Sequence, residues 1–421
     1  MSLKLLLCLA LILSTACTAT LAADPAMQVS SDFPGGSARV LSIKPDDNLV
    51  HITPACDPKL GFPCWWYFRL DHADPGRPVV LVVTANQGEV LSGDHTRKLP
   101  INYSLPDYAA FSTDGTNWAH TARGQRQGAR EIYRIDAQSP TVWLAWGPPF
   151  TLPDANQMIQ AACARCPYAK SFVLGETRGG RPVPGVRFSE PGPTDGRRYT
   201  VWVQARLHAW ESGSSWVARG LVDWLASPDP AAQSLRQKAD VIVIPVMDVD
   251  SVQTGQGGKD RWPHDPDGDW GATPYFPEVA AGMRSLNALA KARRLDLFLD
   301  LHNPGFSARD IDFYIAPVPL LPPERVANEN NFFQIVREQM TGALKFNGRL
   351  GPDGNTYDPA VDKSVDAWVA AQSQPYVVSL TMEIPWNLSA STQAGYLEVG
   401  GQLGRSIDLY LQPTIRSAPQ N

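Results

Sequence analysis

Long apolar runs are missing from the body of this sequence. Beyond residue 23 no stretch stays apolar for the roughly 20 residues that a membrane-spanning helix needs, so no transmembrane segment is expected. Charge is not concentrated either: 37 Lys and Arg oppose 42 Asp and Glu, with no basic stripe and no acidic block. That excludes the electrostatic footprint of a nucleic-acid or membrane-surface binder. Internal repeats and low-complexity tracts do not occur. Cysteine is scarce, with 6 in 421 residues. Cys8 and Cys17 lie near the N-terminus, and the other four form two close pairs, Cys56 with Cys64 and Cys163 with Cys166. In an oxidising compartment two short-loop disulfides are expected. A Cys-x-x-Cys pair can also be redox-active or bind metal, but no second ligand pair stands beside Cys163-Ala-Arg-Cys166.

What is present begins with an export signal. Lys4 precedes an apolar run from Leu5 to Leu13, and small residues lead to Leu21-Ala22-Ala23. A charged start, a short apolar core and a small-residue cleavage site make residues 1–23 a signal peptide, so a periplasmic or secreted protein is expected. Ser14-Thr15-Ala16-Cys17 is a loose lipoprotein box, with Ser where Leu is usual, which leaves a lipid anchor open. The length suits two or three domains, and 43% hydrophobic residues suffice for real cores.

Residues 28–152 read as an antiparallel β-sandwich. Cys64–Leu70, Pro78–Thr84, Ala129–Ile135 and Thr141–Trp146 are short β-branched and aromatic runs separated by Pro, Gly, Asp and Asn. His72, His95 and His120 have no partner at ligand spacing and are expected as surface or core residues. Pro148–Asp154 closes this domain. Residues 153–413 then alternate strands with helices, which implies an α/β domain: a mixed, mostly parallel sheet with helices on both faces. The strands expected are Ser171–Gly175 paired with Val186–Phe188 at the edge, Val201–Leu207, Val241–Met247, Leu295–Leu301 and Tyr376–Met382. Helices are expected around Ile159, after Glu211, through Val279 and Ala290, over Asn331–Leu344 and over Gln393–Leu411.

Chemistry collects at the carboxyl ends of three inner strands. His208 and Glu211 follow the first, His302 the second and Glu383 the third. Ligands of open α/β sheets bind beyond that edge. Two His and a Glu suit zinc, at roughly 2.0–2.2 Å per bond, with one position left for water. A nearby carboxylate can then act as general base. Alone, a His-x-x-Glu corner is a weak signal, His302 beside Asp300 could be a core pair, and Glu383 a buried ion-pair member. Joint placement at strand ends favours the zinc reading.

The corner ARLHAWESGSSWVARGLVDWL, the strand end Asp300-Leu301-His302 and the late Thr381-Met382-Glu383 resemble the M14-type metallocarboxypeptidases, closest to the cytosolic-carboxypeptidase branch. The Trp-Trp-Tyr-Phe run and Pro-Pro-Phe-Thr-Leu resemble the sandwich that precedes the catalytic domain in that branch. The resemblance implies one zinc per chain held by His208, Glu211 and His302, with Glu383 as general base and a peptide or peptide-like substrate. It also implies a loop tyrosine closing over the substrate. Tyr357 is the candidate, with a plain loop residue as the other reading.

Departures qualify this. Ala209-Trp210 replace the family's Pro-Gly, which leaves the ligands in place and is expected to put a large indole beside the metal. Asp267-Gly268 replace the Asn-Arg pair that binds the terminal carboxylate, and no carbonyl-polarising arginine stands around Gln253-Thr254-Gly255. Lys259, Arg261 and Arg309 could fill these roles but are expected as solvated surface charges; His264 is given no role. The expected function is therefore zinc-dependent amide-bond hydrolysis with altered terminal-carboxylate recognition. The alternative is a non-catalytic relative that binds peptide or glycan.

Overall fold

A computed structural model describes residues 26–92, 95–192, 198–315, 321–350 and 364–412. The leader and Tyr357 lie outside the described residues. The N-terminal region holds two five-stranded sheets, antiparallel except where Leu49–Thr53 pairs in parallel with Val79–Thr84. Alternation along Val79–Thr84 turns Val79, Leu81 and Val83 into the core and leaves the residues between them partly exposed. Trp66, Phe68, Leu70, Tyr133, Val142 and Leu144 complete that core. Thr151 and Asp154 then form a capping box that starts the helix Leu152–Arg165 and the second region.

Eight strands form the second sheet, in the spatial order Ala169–Glu176, Pro182–Phe188, Ala239–Ile244, Tyr199–Ala205, Leu297–His302, Val378–Glu383, Ile311–Tyr314 and Phe346–Leu350. The four in the middle, from Ala239–Ile244 to Val378–Glu383, are mutually parallel. They are almost wholly buried, which is why each reads as a mainly apolar run, with a few buried polar residues such as Gln204, Asp240, Asp300 and Ser379. From Tyr199–Ala205 the chain crosses to one neighbour, Ala239–Ile244, and then to the other, Leu297–His302. The strand of the His208 corner therefore sits where the strand order reverses, the usual place for a ligand crevice. Among the described residues no helix is long and apolar enough to cross a membrane.

Three expectations need correction. Pro182–Phe188 pairs on both sides, so of these two strands Ala169–Glu176 alone lies at an edge. The helix expected at Asn331–Leu344 runs from Pro323 to Gln339. Its first half hides polar residues instead of apolar ones: Arg325 donates to Val377 O at 2.7 Å and Asn328 to Tyr376 O at 2.8 Å. The disulfides do not form; Cys56, Cys64, Cys163 and Cys166 are free. Cys56 instead uses its thiol as a donor, to Trp65 O at 3.0 Å and Gly255 O at 3.2 Å.

Candidate metal centre

The corner after Ala205 is shaped by Arg206, a buried residue at φ +64°. Its guanidinium donates to Ala209 O at 2.6 Å, Phe150 O at 3.2 Å and Ser215 Oγ at 3.3 Å. Holding the chain at both ends of the turn, it presents His208 outward from the strand end. Glu211 is the N-cap residue of the helix Ser212–Leu225. Register does the rest: His302 and Glu383 are paired neighbours on adjacent parallel strands, each the last residue of its strand.

These placements bring donor atoms of His208, Glu211 and His302 within 4.8 Å of one another, all three residues buried. His208 Nδ1 lies 2.9 Å from Glu211 Oε1 and 3.1 Å from His302 Nδ1, which lies 2.9 Å from Glu211 Oε2. The outer nitrogens are already engaged: His208 Nε2 meets Asp265 Oδ1 at 2.9 Å, and His302 Nε2 meets Asp300 Oδ2 at 2.9 Å. A carboxylate on Nε2 fixes that proton and leaves the Nδ1 lone pair for a cation, the second-shell arrangement of metal-ligating histidines. Glu211 Oε2 also accepts from Asn303 N at 3.1 Å. Glu383 Oε2 is buried with no hydrogen-bond partner among the described residues. Two imidazoles, a carboxylate and a further unpartnered carboxylate oxygen fit zinc. A second convergence, of Asp267, Asp300 and His302, adjoins the first.

The electrostatics follow from this packing. Burial and the Lys259 ammonium push the His208 ring toward neutrality, yet Asp265 and Glu211 outweigh them and raise its pKa to about 9. His302 also rises, burial being overcome by Asp300 and Glu211. Burial alone would raise Glu211, but the two rings facing it hold it below the usual carboxylate range. Glu383 has burial uppermost and sits at about 7, with His302 opposing and Glu211 adding to the rise. Burial likewise raises Asp267, against the pull of both rings.

Several residues stand where the sequence did not point. Lys259, expected as a surface charge, has its Nζ 3.3 Å from His208 Nδ1. Arg261 is also no surface charge: it is buried, bridging Asp248 and Glu278 at 3.1 and 3.3 Å. Arg309 is exposed, as expected. Trp210 is buried among Phe62, Tyr103, Trp146 and Trp386, so its indole belongs to the core of the N-terminal region. Asp265 was overlooked, although Asp-Pro at a short helix start is a recognisable N-cap signal. Tyr314 was overlooked too. Burial raises its hydroxyl pKa, and Glu383 is the strongest of the charges acting on it. Gly257-Gly258 ahead of Lys259 was the available hint of a close backbone approach.

Fold and site together define an α/β protein with a three-donor, metal-competent centre at the carboxyl edge of its sheet. Comparison with known proteins narrows the class. Residues 155–275 match the zinc carboxypeptidase family, and residues 29–146 match the cytosolic carboxypeptidase N-terminal domain. The chain belongs to the M14-type zinc metallocarboxypeptidases, with the N-terminal domain of the cytosolic-carboxypeptidase branch. The first match takes in His208, Glu211 and Asp265 and ends before His302 and Glu383. An uncharacterised protein of Zymomonas mobilis is 25% identical over 226 residues, which are 53% of this chain and 54% of that one. Cytosolic carboxypeptidase 4 of Mus musculus is 37% identical over 97 residues, 21% of this chain and 9% of that one. The matched stretches thus span about half the length of one relative and far less of the other.

Among solved structures, a metallo-carboxypeptidase from Burkholderia cenocepacia superposes with a TM-score of 0.74 at 19% identity, covering 91% of this chain and 98% of that one. One from Pseudomonas aeruginosa, in complex with (2-guanidinoethylmercapto)succinic acid, gives 0.72 at 18% identity over the same shares. At such identities the likeness speaks for the fold.

Proposed function

We propose that the protein is a zinc-dependent hydrolase of amide bonds in peptides, a metallocarboxypeptidase with altered recognition of the substrate's terminal group. The supporting observation is the buried, unpartnered Glu383 Oε2 next to the Nδ1, Nδ1 and carboxylate donors of His208, His302 and Glu211. A zinc ion held there would polarise a carbonyl and lower the pKa of a water toward roughly 7. Glu383 takes a proton from the attacking water and returns it to the departing amine nitrogen. Water's oxygen is added to the carbonyl carbon, the C–N bond breaks, and the second water proton passes from the new acid to the amine, so that a carboxylate and an ammonium leave. Asp265 and Asp300 keep the rings in the tautomer that presents Nδ1.

Specificity is read from Asp267-Gly268. A Cβ at Gly268 would meet nothing within 4 Å, and no guanidinium stands at this position of the chain. A charge-assisted bond to a carboxylate, worth about 1.5–3 kcal/mol, is then not made. Asp267 adds negative charge whenever it is ionised. Substrates ending in an amide or a cation, or cell-wall-derived peptides, suit such a site better than free acids. The leader points to an exported protein, periplasmic or secreted, with a lipid anchor open, and residues 28–152 and 153–413 serve as its two domains.

The full chain loaded with one zinc equivalent should be assayed on matched peptides with free, amidated and lysyl ends. Amidated or cationic ends should give the higher kcat/KM, and the D267N/G268R double variant should shift preference toward free acids. Preference for free acids in the wild type would remove the specificity claim. No turnover of any of them by zinc-loaded protein would favour the binding-protein alternative.

A further inference from the structure

One face of the eight-stranded sheet carries a groove of about 590 Å³, and none of the residues lining it belongs to the metal centre. Its floor is set by register. Lys170 pairs with Arg187, Arg187 with Ile242, and Ile242 with Trp202, so four neighbouring strands present one row of side chains on the same face. Phe172, two residues beyond Lys170 on the edge strand Ala169–Glu176, joins that face. The helix Pro277–Lys291 lies over the floor and comes close at one end, where a Cβ on Gly175 would fall 2.8 Å from that of Ala281. Further along, the helix offers only Ser285, Ala288 and Leu289 to the floor, and the groove stays open. Trp202 is buried, whereas Phe172, Ile242 and Leu289 keep apolar surface exposed.

The charge of the lining has one sign. Lys170, Arg187 and Arg294 contribute to it, and no acid does. Arg187 and Arg294 each donate to the same oxygen of Asp240, Oδ2, at 2.6 and 2.7 Å. Arg198 and Ser189 donate to Oδ1 at 2.6 and 2.7 Å. Asp240 is buried, two residues before Ile242 on its strand. Three guanidinium groups on one carboxylate leave two positive charges in excess, and Lys170, with no ion pair among the described residues, adds a third. A guanidinium has five N–H donors. Arg187 and Arg294 each use one on Asp240, and their side chains are 48% and 45% exposed, so most of the others are open. Asp240 thus fixes two forks side by side while leaving them able to bind a second anion.

We propose that this groove binds an amphiphilic carboxylate, whose apolar chain covers Phe172, Ile242 and Leu289 and whose carboxylate is held by Arg187 and Arg294. Guanidinium forks match a carboxylate in two-point fashion, and covering the apolar lining adds affinity through burial. The volume lies within the usual range for small-molecule sites. A cationic amphiphile would meet three like charges, and a neutral one would leave the forks to water. The site does not depend on what the metal centre hydrolyses.

The test is calorimetric titration of the full chain with octanoate below its micellar concentration, and with butyrate, octanol and octyltrimethylammonium. Octanoate should bind at one equivalent. Butyrate should bind at least about tenfold more weakly for lost burial, and octanol at least about tenfold more weakly for lost charge-assisted bonds. The ammonium should show no saturable binding. R294Q should weaken octanoate about tenfold and leave octanol unchanged. Since Arg294 also serves Asp240, A288W provides a second variant: from an exposed helix position it fills the groove, and should abolish octanoate binding at an unchanged melting temperature. If either variant does not fold, the other decides. A carboxylate also has affinity for zinc, so the titrations are repeated on zinc-free chain, where octanoate should bind equally well. Octanol as tight as octanoate, octanoate affinity unaltered in a folded variant, loss of binding on zinc removal, or no saturable binding of octanoate overturns the proposal.

Discussion

Glu383 differs from Glu211, Asp265 and Asp300 in its hydrogen-bond partners. Glu211, Asp265 and Asp300 each face a ring nitrogen at 2.9 Å, and Glu383 Oε2 faces none. Replacing it with glutamine keeps shape and removes only the ability to accept and return a proton. E383Q should hold zinc as the wild type does and lose about 10²–10⁴ in kcat, whereas H302A should lose the metal on dialysis. The pH profile carries the same distinction. Burial raises Glu383 to about 7, so the carboxylate needed for proton uptake disappears as pH falls through that value. A zinc charge nearby favours the ionised form, placing the acid limb of kcat/KM at about 7 or lower. Measured at saturating zinc, the residual activity of E383Q should lack that limb. An unchanged limb would assign it to another group.

At the scale of elements, the site depends as much on one loop as on the strands. Gly258, at φ +80°, lies so close to the corner that a Cβ would fall 2.6 Å from both Ala209 N and Asp248 Oδ2. G258A should therefore lower stability by about 1–3 kcal/mol from backbone strain alone. G268A, where a Cβ meets nothing, should leave the melting temperature unchanged. Equal melting temperatures for the two variants would mean that the 257–262 loop does not lie this close to the corner. This contrast explains what was legible in the sequence. The inner strands were readable because burial on both faces leaves mainly apolar runs, and His302 and Glu383 stand where those runs stop, so both could be placed at one sheet edge. Loops have no period. Lys259 and Asp265 reach the centre through backbone bonds to Phe62 and through a short 3₁₀ turn, neither of which leaves a pattern along the chain. Trp210 was misjudged for the same reason: its neighbours Phe62, Tyr103 and Trp146 come from the N-terminal region, far away in sequence.

The whole molecule is joined through those contacts. Trp210 lies between His208 and Glu211 and Trp386 follows shortly after Glu383, yet both are buried in the core of the N-terminal region, where the Trp146 and Trp386 rings lie tilted with centroids 4.3 Å apart. Trp386 Nε1 donates back to Pro304 O at 2.8 Å, two residues past His302. Thr151 and Asp154 tie the connecting segment into the following helix. Two regions that share buried aromatic residues cannot separate without exposing them, and each such residue contributes about 3–5 kcal/mol of packing. Calorimetry of the full chain should accordingly show one cooperative transition. Zinc at a hundredfold excess over its Kd should stabilise the protein by about 2.7 kcal/mol, moving that transition as a unit, and a chelator should return it. Two transitions, of which zinc moves only the later-melting or only the earlier, would mean that the N-terminal region neither senses the metal nor holds the corner in place. In that event Lys259 would have to be held beside His208 by the α/β domain alone.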